Sequence, residues 1–339
     1  MTPLANSSRY YAILLALAGT LCACERSPKE IRRVKLLMGT KVEIIAQGRN
    51  EASLAKAVEL GFQEFERLEA GLSRYRDDSE VSKINRNAGV GPVQVSPELF
   101  MLLEKSLEIC KDTGGAFDIT ILPVLSLWNF NEKNARPPSE EEVRQKLSLV
   151  DCQKIILKKD QYLVFLPEPG MGIDLGGIAK GYAVDRVAEL LKRKGVSSGI
   201  VSAGGDMRVF GGKGRGLAVG IQDPRNRSRV LAKIYLKDSA ISTSGDYERF
   251  FIFQGVRYAH ILDPRSGHPA QGEESVSVVG ESGLSTDAWA TALFVLGSEE
   301  GLQMLKTRPG MEALFIDASG RRRASPELET KLVWLEGAD

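Results

Sequence analysis

Two polar side chains near the C-terminal end of the sequence could hold a divalent cation together. Asp287 and Thr291 are four residues apart in an apolar segment that is typical of a helix. Since residues i and i+4 share one helix face, the carboxylate and the hydroxyl can converge on one point. Oxygen ligands of this kind suit Mg²⁺, which also accepts substrate phosphates. The pattern alone favours a structural alternative, in which residues 285–287 cap the helix and Thr291 bonds back to its backbone.

Two glycine-rich segments could bring the backbone close to a phosphate. Gly172–Gly177 reads GIDLGG and leads into a predicted helix, whose N-terminal amides would form an anion site. Ser202–Asp206 reads SAGGD. Neither segment matches the nucleotide-binding patterns GxxxxGK(S/T) or GxGxxG. Taken alone, each segment therefore indicates a tight turn before it indicates a phosphate site.

The chain has only two histidines, which excludes a multi-histidine zinc or iron site. His260 follows an apolar strand and precedes a turn that begins with Asp263-Pro264 and ends at Gly267. A single histidine in this position is usually structural. On this pattern alone, a functional role for His260 is the less favoured alternative. His268, beyond the turn, is predicted to lie on the surface.

A mixed set of helices and strands must position these groups. Without an internal repeat or a low-complexity linker, the residues from 34 to 339 are interpreted as one compact domain. Helical and strand-rich runs follow one another without regular alternation, which favours an α+β fold. Short strands dominate residues 200–279. Apolar periodicity and capping residues predict helices over 50–71, 96–114, 177–195 and 285–297, and strands over 42–46, 154–157 and 162–166.

The N-terminal segment differs from the rest of the chain. Its apolar run, Tyr10–Leu21, is too short for a membrane span of roughly 20 residues and has the layout of a signal-peptide core. The next residues, Leu21–Cys24, resemble the lipobox of bacterial lipoproteins. We therefore predict a signal peptide over residues 1–23, lipidation of Cys24 and a tether over residues 24–33. A simple secretory signal is the alternative.

Charge and cysteine content narrow the functional classes further. The 45 basic and 44 acidic residues nearly balance, so the sequence lacks the excess positive charge that is typical of nucleic-acid-binding proteins. Cys110 and Cys152 could pair outside the cytoplasm, but their spacing alone does not decide this. We interpret them as small apolar residues of the core.

Taken in order, the motifs of this chain resemble those of the ApbE family. The resemblance covers roughly residues 34–316, and the motifs are specific as an ordered set although each is weak alone. They are Met38–Thr40, Leu72–Glu80 with Ile84-Asn85, Gly114–Thr120, Asp174–Gly181, Ser202–Asp206, His260–Gly267 and Asp287–Ala292.

The resemblance implies a T-fold-like α+β domain and a magnesium-dependent FAD:protein FMN transferase. Such an enzyme attaches FMN from FAD to a threonine or serine hydroxyl of a target protein through a phosphoester bond, and AMP is released. Known targets of the family are respiratory subunits of the sodium-pumping NADH:quinone oxidoreductase and Rnf type. The implied location is the periplasmic face of a membrane, where the lipid anchor would hold the protein. We predict the cell inner membrane, and the outer membrane is the alternative, because Glu25 after the lipidated cysteine does not decide between them.

The resemblance also implies roles for individual residues. The Asp287 carboxylate, the Thr291 hydroxyl and the backbone carbonyls of Gly177 and Ala290 would bind Mg²⁺. His260, whose neutral imidazole is available near pH 7, would be the general base, with Asp174 or a phosphate oxygen as the alternative. Some relatives have an acidic residue where Lys180 stands, which leaves its contact open. The residues implied to line the FAD site are Met38, Tyr75, Ala116, Phe117, Asp118, Asp174, Lys180 and Leu262.

Two other functions remain open from the sequence. An FAD pyrophosphatase would use the same groups and release FMN and AMP, with water in place of the acceptor hydroxyl. A flavin-binding or solute-binding lipoprotein without catalysis would need neither the Asp287/Thr291 pair nor His260, and the presence of these residues argues against it.

Overall fold

The computed structural model describes residues 28–130, 132 and 135–335, so the predicted signal segment and Cys24 lie outside the described residues. No helix in this part of the chain is both long and apolar enough to cross a membrane.

The strands, numbered in chain order, are β1 Lys29–Leu37, β2 Thr40–Gly48, β3 Val93–Gln94, β4 Ile156–Lys158, β5 Leu163–Phe165, β6 Ser198–Ala203, β7 Asp206–Phe210, β8 Leu217–Gln222, β9 Val230–Leu236, β10 Ser239–Gly245, β11 Phe250–Phe253, β12 Val256–Ala259, β13 Leu262–Asp263, β14 His268–Pro269, β15 Glu273–Gly280, β16 Glu312–Asp317, β17 Arg322–Ala324 and β18 Val333–Trp334. The helices are α1 Glu51–Leu72, α2 Glu80–Arg86, α3 Pro97–Asp112, α4 Leu122–Leu125, α5 Glu140–Leu147, α6 Ala179–Arg193, α7 Gly283–Leu305 and α8 Pro326–Lys331.

An eight-stranded antiparallel sheet forms the centre of the fold. Its strand order is β1-β2-β6-β7-β10-β15-β16-β17. Along β16, Ala313 and Phe315 belong to one hydrophobic cluster, whereas Leu314 and Ile316 belong to another. Because successive side chains of a strand point to opposite faces, this alternation shows that the sheet is buried on both sides.

Helices cover one face of this sheet, and a small second sheet covers part of the other. Phe65 of α1, Val187 of α6 and Leu293 of α7 share a cluster with sheet residues. On the opposite face, Ile234 of the three-stranded sheet β18-β9-β8 packs in a cluster with Ile241 of β10. Antiparallel sheets with helices on one face confirm the predicted α+β class.

The folded domain begins before the boundary predicted at residue 34. β1 pairs with β2 over its whole length. Arg32 forms an ion pair with Glu43 across the two strands. Residues 29–33, which the sequence analysis assigned to the tether, therefore belong to the first strand.

The helix that carries Asp287 also begins earlier than the sequence indicated. α7 starts at Gly283, and the Ser282 side chain caps it by accepting a hydrogen bond from a backbone N–H of the first turn. Asp287 therefore lies in the second turn, and the prediction that residues 285–287 cap the helix is wrong. The predicted end of the helix corresponds to a break inside α7, where Gly297 has a φ of +76°.

Cys110 and Cys152 form a disulfide, so their interpretation as unpaired apolar residues is wrong. Cys110 lies in the last turn of α3, and Cys152 begins a short 3₁₀ turn. Their Cα atoms are 6.7 Å apart, within the range that a disulfide can bridge. The spacing of the two residues could not predict this, because the loop between them includes α4 and α5.

We expect reduction of this disulfide to lower the free energy of unfolding by about 4 kcal/mol. The bond joins residues 42 positions apart, and closing a loop of this size removes much conformational entropy from the unfolded chain. Urea unfolding with and without dithiothreitol measures the effect. A Cys110→Ala/Cys152→Ala double variant serves as the control, because it should not respond to the reductant. Identical unfolding midpoints for the wild-type protein in both conditions would contradict the prediction.

Candidate functional site

One cavity of about 1010 Å³ brings most of the predicted site residues together. Every residue implied to contact FAD lines it, as do Gly177, His260, Asp287 and Thr291. Ala290 is buried beside Thr291 and is not part of the lining. Segments far apart in the sequence therefore converge, as the ordered motifs predicted. The predicted FAD contacts on the lining are Met38, Tyr75, Ala116, Phe117, Asp118, Asp174, Lys180 and Leu262.

Close contact between α6 and α7 positions Asp287. A Cβ atom on Gly181 would lie 2.0 Å from the carbonyl oxygen of Gly283, so the two helix backbones meet at this pair of glycines. The Gly181 N–H donates to Asp287 Oδ2 at 2.9 Å. From α6, the Asp185 carboxylate accepts hydrogen bonds from the N–H groups of Gly283 and Leu284. The side chain of Asp287 is therefore fixed by a backbone donor of another helix.

Lys180 joins two buried carboxylates at the cavity wall. Its Nζ atom lies 2.6 Å from Asp206 Oδ2 and 3.5 Å from Asp287 Oδ1. Burial alone would lower the pKa of Lys180, but the two carboxylates outweigh this effect and raise it above its ordinary value. Burial and the charge of Asp206 raise the pKa of Asp287. The cluster thus concentrates negative charge around a single ammonium group.

The donor set around Asp287 fits a hard divalent cation. Thr291 follows Asp287 by one turn of α7, and both side chains line the cavity. A Cβ atom on Gly177 would lie 3.0 Å from Thr291 Oγ1, so the glycine brings its backbone directly against the hydroxyl. Carboxylate, hydroxyl and carbonyl oxygens are ligands suited to Mg²⁺. These residues fit the ligand set that the family resemblance implies.

Asp174 precedes the two glycines of its turn, lines the cavity and is paired with a cation. It forms an ion pair with Arg74 and accepts a hydrogen bond from the Gly176 N–H at 2.7 Å. The Arg74 guanidinium lies over the Tyr75 ring, 4.2 Å from its centroid, and donates to the Tyr75 hydroxyl at 2.7 Å. Asp174 therefore positions Tyr75 through Arg74, a residue to which the sequence analysis assigned no role.

Asp118 fixes the chain at another part of the cavity wall. Its Oδ1 accepts hydrogen bonds from the backbone and side chain of Thr120, and its Oδ2 accepts one from the Cys152 N–H at 2.9 Å. Burial raises the pKa of Asp118 above its ordinary value. The carboxylate is thus engaged by protein donors, and one of them belongs to the disulfide-bonded Cys152.

His260 has one ring nitrogen, Nε2, that makes no hydrogen bond with the residues that the structure describes. Its backbone N–H and its Nδ1 both face the Arg249 carbonyl oxygen, at 3.0 Å and 3.2 Å. A carbonyl can only accept, so Nδ1 carries the hydrogen in this contact and Nε2 is left with a lone pair. Burial of the ring, helped by the positive charges of Arg249 and Lys180, lowers the pKa of His260 to about 4.

The turn after His260 is held by Trp128. The indole N–H of Trp128 donates to the Gly267 carbonyl oxygen at 3.0 Å, and Trp128 also packs against aromatic residues of the β11–β12 hairpin. His268 is half-buried rather than fully at the surface, with Nε2 3.3 Å from a Glu140 carboxylate oxygen and its ring against Trp128. His268 does not line the cavity.

Besides Arg74, two residues of the site were not predicted from the sequence. Asp206 is the last residue of the SAGGD turn, and it is 2% exposed and pairs with Lys180. A charged residue directly after a glycine turn was the available signal. Arg249 also lines the cavity, and nothing in its sequence surroundings distinguished it from a surface arginine.

Comparison with known proteins gives one consistent result. The ApbE family profile matches residues 38–315. An FAD:protein FMN transferase from Treponema pallidum is 35% identical over 322 residues, which span 90% of this chain and 89% of that protein. A crystal structure of the ApbE protein from Thermotoga maritima superposes with a TM-score of 0.84 at 33% identity, covering 89% of this chain and 99% of that one. The flavin transferase ApbE from Vibrio cholerae gives a TM-score of 0.78 at 28% identity, covering 91% and 100%.

Proposed function

The chain belongs to the ApbE family, and we propose on this premise that it is an FAD:protein FMN transferase. The observation that carries the proposal is the composition of the cavity. It combines the oxygen donors of Gly177, Asp287 and Thr291 with the free Nε2 of His260. Its volume of about 1010 Å³ is ample for a dinucleotide substrate. A binding protein would need neither the cation ligands nor the base.

The reaction exchanges the phosphoanhydride bond of FAD for a phosphoester bond to the acceptor. The hydroxyl oxygen of an acceptor threonine or serine attacks the FMN phosphorus of FAD. The bond from this phosphorus to the bridging oxygen breaks, and AMP leaves with that oxygen. His260 Nε2 takes the proton of the hydroxyl, which is too weak a nucleophile without a base. Asp287, Thr291 and the carbonyls of Gly177 and Ala290 would hold Mg²⁺, whose charge offsets the negative charge of the leaving AMP.

His260 fits the role of base better than Asp174 does. Asp174 is already engaged by Arg74 and by the Gly176 N–H, and taking a proton would weaken both contacts. His260 needs no such exchange, because Nδ1 keeps its hydrogen bond to Arg249 while Nε2 is protonated. The bound pyrophosphate brings negative charge near the ring, which raises the basicity of the imidazole above that of the empty site.

Incubation with FAD, Mg²⁺ and an acceptor tests the proposal. We propose as acceptors the respiratory subunits of the sodium-pumping NADH:quinone oxidoreductase or Rnf type. Intact mass should show the acceptor gaining FMN minus water on one threonine or serine, with one AMP released for each attachment. A Thr→Ala acceptor is the matched control. Equal AMP release with and without acceptor, and no attached flavin, would overturn the transferase and favour the pyrophosphatase.

We further propose that the enzyme acts outside the cytoplasm as a lipoprotein anchored through Cys24, facing the periplasm at the inner membrane. The support is the Leu21–Cys24 pattern after a short apolar run. Stable anchoring requires more than one acyl chain.

Substitution of the two N-terminal cysteines separates lipidation from a simple secretory signal. We expect Cys24→Ala to leave the protein unprocessed or free of the membrane, whereas Cys22→Ala, the matched control, keeps it anchored. Membrane fractionation and metabolic labelling with a fatty acid measure both effects. Equal anchoring and labelling of the two variants would exclude Cys24 as the attachment point.

A further inference from the structure

The cavity contains one cation that no carboxylate neutralises in the part of the chain that the structure describes. Arg74 is paired with Asp174, Arg76 with Asp78 and Lys180 with Asp206. The fourth cationic residue of the lining, Arg249, has no ion pair with the described residues, and its guanidinium donates no hydrogen bond to them. A positive charge in a cavity without a partner is available to an anionic ligand.

The pairing of β11 with β12 places Arg249 and His260 opposite each other at the cavity. The β11–β12 register pairs Phe250 with Ala259. The next pair, on the cavity side of this one, is Arg249 with His260. The His260 N–H donates to the Arg249 carbonyl at 3.0 Å, which extends the pairing to this position. Cross-strand partners place their side chains on one face of a hairpin, about 5 Å apart at Cβ. Both residues line the cavity, as this arrangement requires.

The guanidinium of Arg249 lies next to the turn between β1 and β2. A Cβ atom on Gly39 would lie 3.4 Å from Arg249 Nη2. Gly39 adjoins Met38, which is one of the predicted FAD contacts and also lines the cavity. The guanidinium thus lies beside the backbone of Gly39, and the residue is exposed to solvent.

We propose that Arg249 binds a phosphate oxygen of the FAD pyrophosphate and holds the reacting phosphorus beside His260. The inference rests on the proposed function, since it needs FAD in the cavity. A planar guanidinium can donate two parallel hydrogen bonds to a phosphate, which fixes orientation as well as charge. Once neutralised by phosphate, Arg249 no longer repels a proton from His260, so substrate binding strengthens the base.

Equilibrium binding without metal tests this contact separately from turnover. FAD and riboflavin are titrated in EDTA against wild type, Arg249→Met, Arg249→Lys and Arg257→Met. Arg257 is the matched control, because it stands on the same hairpin but pairs with Asp246 and lies over the Phe250 ring. We expect Arg249→Met to lower the affinity for FAD by about 10-fold to 100-fold, the usual effect of losing a charged hydrogen bond. The affinity for riboflavin should not change. Arg249→Lys should recover part of the loss.

The outcomes separate this inference from the proposed function. Unchanged FAD affinity in Arg249→Met would overturn the phosphate contact, and so would an equal loss for FAD and riboflavin, which indicates a structural effect. AMP release by the wild-type enzyme is measured in parallel. If wild type forms AMP and Arg249→Met binds FAD normally, only the inference fails. If wild type binds FAD in an Arg249-dependent manner but forms no AMP, only the proposed function fails.

Discussion

Replacement of Asp287 by asparagine is expected to remove magnesium-dependent turnover while the fold survives. Asparagine keeps the shape of the side chain and an oxygen for the Gly181 N–H, which donates to Asp287 at 2.9 Å. It removes the negative charge that a divalent cation requires. We expect AMP release to fall by on the order of 10²–10³-fold, the cost of losing one electrostatic contact to a transition state. Initial rates across a magnesium titration measure this loss.

Two variants separate a metal defect from a packing defect at the α6–α7 contact. Thr291→Val deletes the neutral hydroxyl that we propose as a Mg²⁺ ligand, and it should cause a smaller loss than the Asp287 substitution. Asp185→Asn disturbs the cap of α7 outside the cavity, so it should cost about 1 kcal/mol of stability and leave the magnesium dependence intact. Wild-type rates for Asp287→Asn would show that the metal assignment is wrong.

Local sequence patterns predicted many of the helices and strands, because capping residues and apolar spacing act over only a few residues. Asn50 caps α1 by accepting a hydrogen bond from the Ser53 N–H, as a short polar residue before an apolar stripe predicts. Ser96 does the same for α3. The start of α7 was placed too late, since Ser282 and Ser285 are both good caps and the helix begins after the first of them. Which of two such residues caps the helix depends on the tertiary contacts of the glycines around them, and the local sequence does not show these contacts.

The electrostatic partners of the site could not be predicted locally, because each partnership joins distant parts of the chain. Asp206 meets Lys180 only after β7 and α6 pack together. Arg74 reaches Asp174 across almost a third of the sequence. The disulfide likewise depends on where the segment after α5 returns. Motif order located the cavity, while the network that tunes its charges became visible only in three dimensions.

Conversion of His260 to glutamine is expected to slow transfer by about 10²–10⁴-fold while FAD still binds. Glutamine can keep a hydrogen bond toward the Arg249 carbonyl but cannot accept the proton of the acceptor hydroxyl. Single-turnover mixing with prebound FAD measures the chemical step, and a binding titration measures affinity. If the rate of the chemical step and the affinity for FAD fall together, His260 binds FAD and does not act as the base.

The pH dependence of kcat/KM provides the decisive control, because it reports the free enzyme. Burial, Arg249 and Lys180 lower the pKa of His260 to about 4, so its basic form persists well below the ordinary histidine value. The base is therefore present at neutral pH and is lost only as the pH falls through about 4. Measured at saturating Mg²⁺, this acid limb should appear in the wild type and disappear in His260→Gln. A limb at the same pH in both proteins would assign it to another group, and Asp174 would become the first residue to replace.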